Sequence, residues 1–228
     1  MNERLFCFII CYNDIIFLEE CLLYIDQLNI PEGYTTDIIT VAEADSMTEG
    51  YQAGMEASNA KYKIYLHQDV FILNRSFLSD TLNIFLHNKN LGMLGMVGSK
   101  KMPKSGIMWD NKNRIGALRS CSLATIDDFF DIPMTCGRGN WENVEAIDGL
   151  IMMTQYDIDW RKDLFHGWDF YDVSQSFEFR KAGYNIGVPY QEIPWVLHDC
   201  GFLNFSNYNH EREIFVKEYF MEEKNLGE

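Results

Sequence analysis

Leu5-Phe6-Cys7-Phe8-Ile9-Ile10-Cys11 is an unbroken apolar run, closed at once by Tyr12-Asn13-Asp14. A short continuous run bounded by turn residues is what a strand covered on both faces looks like. Comparable runs recur at Asp37–Ala42, Lys63–His67, Gly92–Gly98 and Ala146–Thr154. Helical patterns lie between them. Ile15–Leu28 aligns Phe17 or Leu18, Cys21 or Leu22, Ile25 and Leu28 on one stripe, and Met47–Ala57 and Phe77–His87 do so more weakly. Strand and helix alternating in this way predict βαβ units. The expected fold is α/β, a mixed, mainly parallel sheet flanked by helices.

Further along, the pattern loosens. Lys100–Asn143 reads as polar, Gly-rich and irregular, Val144–Gly201 as a second ordered block, and Asn209–Glu223 as an amphipathic terminal helix. No repeat, low-complexity tract or Pro/Ser linker divides the 228 residues, so residues 1–228 read as a single domain in two halves, about 1–100 and about 101–228. With 47% hydrophobic and 14% aromatic residues, the chain has the material for a core, which excludes intrinsic disorder.

Thirty-four acidic against 19 basic residues leave a net charge of −15. That balance argues against a sequence-independent grip on nucleic acid and against adhesion to an anionic membrane. An anionic ligand would need a bound cation or a local basic patch, and Lys100, Lys101 and Lys104 form the one basic cluster. The six cysteines form no CxxC pair, which suits reduced thiols and a cytoplasmic protein. Leu5–Cys11 is too short to span a bilayer and has no small-residue cleavage site after it.

In open α/β sheets ligands bind beyond the carboxyl ends of the strands. Here those ends are Cys11-Tyr12-Asn13-Asp14, Glu43-Ala44-Asp45-Ser46 and His67-Gln68-Asp69. No GxGxxG or GxxxxGK[ST] follows the first strand, so neither a dinucleotide fingerprint nor a P-loop is present.

Ser46-Met47-Thr48-Glu49-Gly50-Tyr51-Gln52-Ala53-Gly54, then Ala57, Tyr62 and Tyr65-Leu66-His67-Gln68-Asp69, resemble the donor half of GT-A glycosyltransferases. More narrowly, the chain is similar to a bacterial family-2-like branch with HQD in place of DxD. Ala146–Met153, Trp168-Asp169-Phe170-Tyr171-Asp172, Phe179–Tyr184 and Trp195-Val196-Leu197-His198-Asp199 resemble, in order, the acceptor strand, the acidic motif, the end of its helix and the late histidine segment. On this resemblance residues 1–100 are the nucleotide-sugar donor half, and 101–228 the acceptor half with a C-terminal helix.

The resemblance implies a metal-dependent transfer of sugar from a nucleotide-diphosphate sugar to an acceptor hydroxyl, with inversion, in glycan or cell-surface polysaccharide synthesis. The acceptor would be a glycan or a lipid-linked molecule, which would bring a cytoplasmic enzyme to the inner membrane face. Asp69 and His198 are the implied ligands of a divalent cation, and a mixed N/O set favours Mn²⁺ over Mg²⁺. His67, standing where the first acid of DxD would be, is expected to play a supporting role. Asp172 is the candidate general base and Asp169 the competing carboxylate. At a helix N-terminus the macrodipole is expected to lower the Asp172 pKa.

Cys11, Tyr12, Asn13, Glu43, Ser46 and Gln68 are the donor-side candidates, with Tyr12 suited to stack on a base and Glu43 to accept an N–H. Asp148, Gly149 and Trp168 are the acceptor-side candidates. Trp109 and Trp141 are further aromatic candidates for stacking on a sugar face. A rival reading is a non-catalytic nucleotide-sugar or glycan-binding module with a degenerate metal site. Aromatics at 204–208 and the terminal helix suit either a homodimer contact or docking on the same domain.

Overall fold

In a computed structural model of the chain, the described residues are 1–121, 126–130, 137, 139–200 and 205–221. The first half alternates as expected. It runs β1 (Asn2–Tyr12), α1 (Ile15–Asp26), β2 (Thr35–Ala42), α2 (Met47–Ala57), β3 (Ala60–His67), β4 (Val70–Ile72) and α3 (Phe77–His87). There follow β5 (Leu91–Gly95), β6 (Val97–Ser99), a 3-10 turn (Met108–Asp110), β7 (Arg114–Cys121), β8 (Ile126–Phe130), β9 (Trp141–Val144), β10 (Ala146–Ile147) and β11 (Ile151–Thr154). The chain continues through α4 (Tyr171–Lys181), β12 (Asn185–Pro189), β13 (Val196–His198) and α5 (Tyr208–Val216), with a π-helical turn over Lys217–Met221.

Two sheets result, one of seven strands in the order β2-β1-β3-β11-β5-β12-β9 and one in the order β10-β6-β7-β13-β4, with β8 paired to β7. The opening run explains the first sheet. Phe6, Phe8 and Ile10 point to one face, where they meet Leu18, Cys21 and Ile25 of α1 and Phe77, Leu82 and Phe85 of α3. Cys7, Ile9 and Cys11 point to the other, against Tyr51 and Met55 of α2. A strand with helices on both faces can show no alternation. At the sheet edge β2 differs: its residues alternate between exposed and half-buried, with Ile38 41% exposed, because only β1 flanks it.

Three expectations need correcting. Parallel pairing is confined to β1–β2, β1–β3, β5–β12 and β7–β13, and the other described ladders are antiparallel. A parallel pair needs a crossover of a dozen or more residues, and the second half offers few. The runs 92–98 and 146–154 each break into two strands, and β6 and β10 leave the first sheet for the second. Segment 100–143 is less irregular than its composition suggests, since it carries β7, β8 and the start of β9.

α5 docks on its own chain. Phe215 and Tyr219 are buried against Phe177, and Phe170 lies 5.6 Å from Phe215 between ring centroids. That removes the apolar face of this helix as the basis of a dimer contact; of the terminal segments considered for one, residues 204 and 222–223 lie outside the described residues. The five described cysteines carry free thiols, and Cys136 lies outside the described residues.

α2 crosses β1 closely enough that its glycines are a packing requirement. A Cβ at Gly54 would fall inside contact distance of Ile9 Cγ2 and 3.5 Å from Ile9 Cβ. Gly54→Val is therefore expected to destabilise the fold by about 2 kcal/mol through overpacking, despite its better helix propensity. Urea unfolding checks this; a variant as stable as the parent would contradict the close crossing.

Candidate active site

The carboxyl ends of β1, β2 and β3 meet at one edge of the first sheet. Gln68 clamps that edge: its Oε1 accepts from the backbone of Asn13 at 3.0 Å and Asp14 at 2.9 Å, and its Nε2 donates to Asn13 Oδ1 at 2.7 Å. Glu43 is exposed, has φ of +48°, and donates its N–H to Tyr12 O at 3.2 Å. A left-handed glutamate is uncommon, and such strain gathers at functional loops. Tyr12 is half-buried and Asn13 exposed, so both present groups at this rim.

Two donor-side candidates are placed otherwise. Ser46 is buried as the N-cap of α2, accepting from Glu49 N at 3.2 Å. The Cys11 thiol is buried where α2 crosses β1, and burial pushes its pKa up to about 12. Both side chains serve the seating of α2.

His67 closes β3 and the turn into β4 carries Gln68 and Asp69, and antiparallel pairing of β4 with β13 sets His198 opposite Val70. One further backbone bond continues the pairing, Asp199 N donating to Asp69 O at 2.9 Å. His198 Nε2 thereby lies 3.5 Å from Asp69 Oδ1, and His67 Nδ1 lies 3.9 Å from the same oxygen. Ligand atoms of all three residues fall within 4.8 Å of one another. A divalent ion with bonds of about 2.1 Å separates adjacent ligands by roughly 3 Å, so the three residues fit a common ion with small adjustment. His67 thus stands in the group itself, in contrast to the supporting role expected for it.

The charges within this group are mutually set. Burial alone would push the Asp69 carboxyl up and the His198 imidazole down, but their contact outweighs it, holding Asp69 below and His198 above their ordinary values. Burial and the neighbouring His198 lower His67 to about 4, which keeps it neutral.

Across the cleft, α4 begins after Phe170, whose φ is +57°. Asp172, in the first turn, accepts from Gly149 N at 2.8 Å and from Val173 N at 2.7 Å. Phe170, Val173 and Phe177 face the core, as their spacing predicts. The macrodipole does not govern Asp172, however. Burial, then the nearby charge of Asp148, push its pKa up to about 7, against the lowering effect of its two N–H donors. Burial also raises Asp169, which lies half-buried beside it.

His67, His198, Asp148, Asp169 and Asp172 line one cleft of about 580 Å³. Trp168, half exposed, lies on its wall with Trp109, whose Nε1 donates to Asp148 Oδ2 at 2.9 Å. Asp69 does not line this cleft itself but contacts both of its histidines. Trp141 is absent from this wall and packs against the core under Gly187. The lysine cluster is also elsewhere, Lys100 being paired with Glu142. Sequence reasoning missed Tyr171, whose hydroxyl bonds to His67 Nε2, because an aromatic beside an acidic motif reads as core.

A mixed α/β sheet flanked by helices and joined to a second, mostly antiparallel sheet is the GT-A fold of glycosyltransferases. The chain belongs to the glycosyltransferase-like family, whose model matches residues 7–219. Among solved structures it resembles the mannosyltransferase PcManGT from Pyrobaculum calidifontis in complex with GDP-Man and Mn²⁺. The TM-score is 0.60 at 10% identity, over 100% of this chain and 66% of that one. It also resembles S. aureus TarS 1-349 in complex with UDP, with a TM-score of 0.56 at 8% identity over 92% of this chain and 63% of that one. A third similar structure is the catalytic domain of Drosophila β1,4-galactosyltransferase 7 in complex with xylobiose, with a TM-score of 0.51 at 12% identity over 92% of this chain and 79% of that one. The chain thus spans just under two thirds of the first two, and identities this low speak for the fold alone. No curated protein matches the chain at a significant level of sequence similarity.

The raised Asp172 can be measured directly. A carbon NMR titration of its carboxyl is expected to give a midpoint near 7, and Asp148→Asn to move it down by removing a negative neighbour. A midpoint near 4 in the parent would contradict the cleft as described.

Proposed function

We propose that the chain transfers a sugar from a nucleotide-diphosphate sugar to an acceptor hydroxyl, with inversion and with a divalent cation, in glycan or cell-surface polysaccharide synthesis. The observation that carries this reading is the placement of Asp172 in one cleft with His67 and His198, which form a group with Asp69. A nucleotide-diphosphate leaving group needs positive charge, and no Lys or Arg is among the described residues lining the cleft. His67, Asp69 and His198 would hold the cation, a nitrogen-rich set that favours Mn²⁺ over Mg²⁺. When bound, the cation offsets the charge that develops on the departing diphosphate. The complexes of PcManGT with GDP-Man and Mn²⁺, and of TarS with UDP, support this ligand class.

The residues of the chain divide the remaining work. Tyr12 and Glu43, with Asn13 held by Gln68, receive the nucleoside at the β1–β2 rim. Trp168 and Trp109 present ring faces to the acceptor, and Asp148 orients Trp109. Asp172, held by the Gly149 and Val173 N–H groups, takes the acceptor proton onto a carboxylate oxygen as the hydroxyl attacks. Asp169, which lines the same cleft, is the alternative carboxylate for that role. No described helix is long and apolar enough to cross a membrane; the membrane contact proposed is through a lipid-linked acceptor.

The test is turnover with UDP-, GDP- and CMP-linked donors. Asp172→Asn is expected to lose about 10²–10⁴-fold in kcat while still binding nucleotide. Unchanged turnover would pass the role to Asp169, and no turnover by the parent with any donor would favour the binding-module reading. Because Asp172 must be ionised to act, kcat/KM of the parent should rise with pH through about 7. A flat profile from pH 5 to about 8 would contradict a base of that pKa.

Thermal stability separates the metal from the base. With nucleoside diphosphate and Mn²⁺ at about 100-fold over Kd, native-state binding contributes roughly 2.7 kcal/mol. Asp69→Ala is expected to abolish that metal-dependent shift; retention of the full shift would remove Asp69 from the cation site.

A further inference from the structure

Tyr171 is buried and has no part in the proton transfer, yet its hydroxyl reaches His67 Nε2 from the residue next to Asp172. The His67 ring therefore presents Nδ1 toward Asp69. A metal takes an imidazole nitrogen only through its lone pair, so the ligating nitrogen must be bare and the other must carry the hydrogen. We infer that Tyr171 is a positioning residue: by accepting the Nε2–H of His67 it selects the tautomer and ring orientation that offer Nδ1 to the cation. This rests on the cation reading above.

The surroundings of Tyr171 are built for that reach. Its ring is held edge-on to Tyr51, 5.8 Å away between centroids, and near Trp160 at 6.4 Å. On its open side it lies over Gly149, where a Cβ would come within 2.6 Å of the Tyr171 Cζ and closer still to its oxygen. Any side chain at position 149 would push the phenol off His67. The backbone of the same glycine holds Asp172 at 2.8 Å. One small residue thus seats two neighbours, Tyr171 toward the cation ligands and Asp172 toward the acceptor.

The experiment is Mn²⁺ affinity of the full chain by calorimetry and electron paramagnetic resonance, for the parent, Tyr171→Phe, His67→Ala and the double variant. Tyr171→Phe is expected to weaken Mn²⁺ binding by about 10–100-fold and to reduce the imidazole nitrogen modulation of the bound ion. In the His67→Ala background, measured at higher Mn²⁺, it should cost nothing further, because Tyr171 acts through His67. Gly149→Ala should reproduce the loss without removing the hydroxyl. Parent-like affinity in Tyr171→Phe, or an equal loss in both backgrounds, would overturn the inference while leaving the cation site standing. A parent that does not bind Mn²⁺ would instead overturn the cation reading, and this one with it.

Discussion

The turn Asp148-Gly149-Leu150 is the joint on which the site depends. Gly149 N holds Asp172 at 2.8 Å, Leu150 O accepts His67 N at 3.1 Å, and Asp148 N donates to Val97 O at 2.9 Å. Three consecutive residues thus fasten the start of α4, the end of β3 and the second sheet to one another. Backbone hydrogen bonds between rigid elements keep a catalytic constellation within the sub-ångström tolerance that chemistry demands. The histidine–carboxylate group and the candidate base are fixed relative to each other without either touching the other.

Electrostatics gives this joint its consequence. Asp148, Asp169 and Asp172 share a cleft in a chain of net charge −15, where burial and then the charge of Asp148 push Asp172 up to about 7. The same field repels phosphate. A cation held by His67, Asp69 and His198 reverses the local sign, so the acidity that suits a base becomes compatible with an anionic donor.

The sequence made the first half of the fold legible because its periodicities are strong. α2 and α3 fall where their apolar stripes place them, and β1 follows from a run covered on both faces. The second half was harder to read for a physical reason. β4, β6, β10 and β13 are two or three residues long, and their partners lie far away in sequence. The break after Gly95, where the chain passes from one sheet to the other, leaves no mark in an apolar run. Within the site, motif order singled out Asp69, His198 and Asp172 as candidates; the fold sets His198 beside Asp69 and puts His198 and Asp172 on one cleft. The upward push on Asp172 was not readable, because it depends on burial and on Asp148 across a turn. The place of His67 was equally hidden, since only the pairing of β4 with β13 brings His198 to it.

The central claim is that one ion can be held by His67, Asp69 and His198 while it meets a nucleoside diphosphate. Crystals grown with Mn²⁺ and UDP or GDP, with anomalous scattering collected at the manganese edge, test it most directly. The expected result is one peak about 2.0–2.3 Å from His67 Nδ1, His198 Nε2 and an Asp69 oxygen, with diphosphate oxygens completing the shell. A nucleotide bound at the β1–β2 rim with no peak at these residues, or with the ion on other ligands, would contradict it.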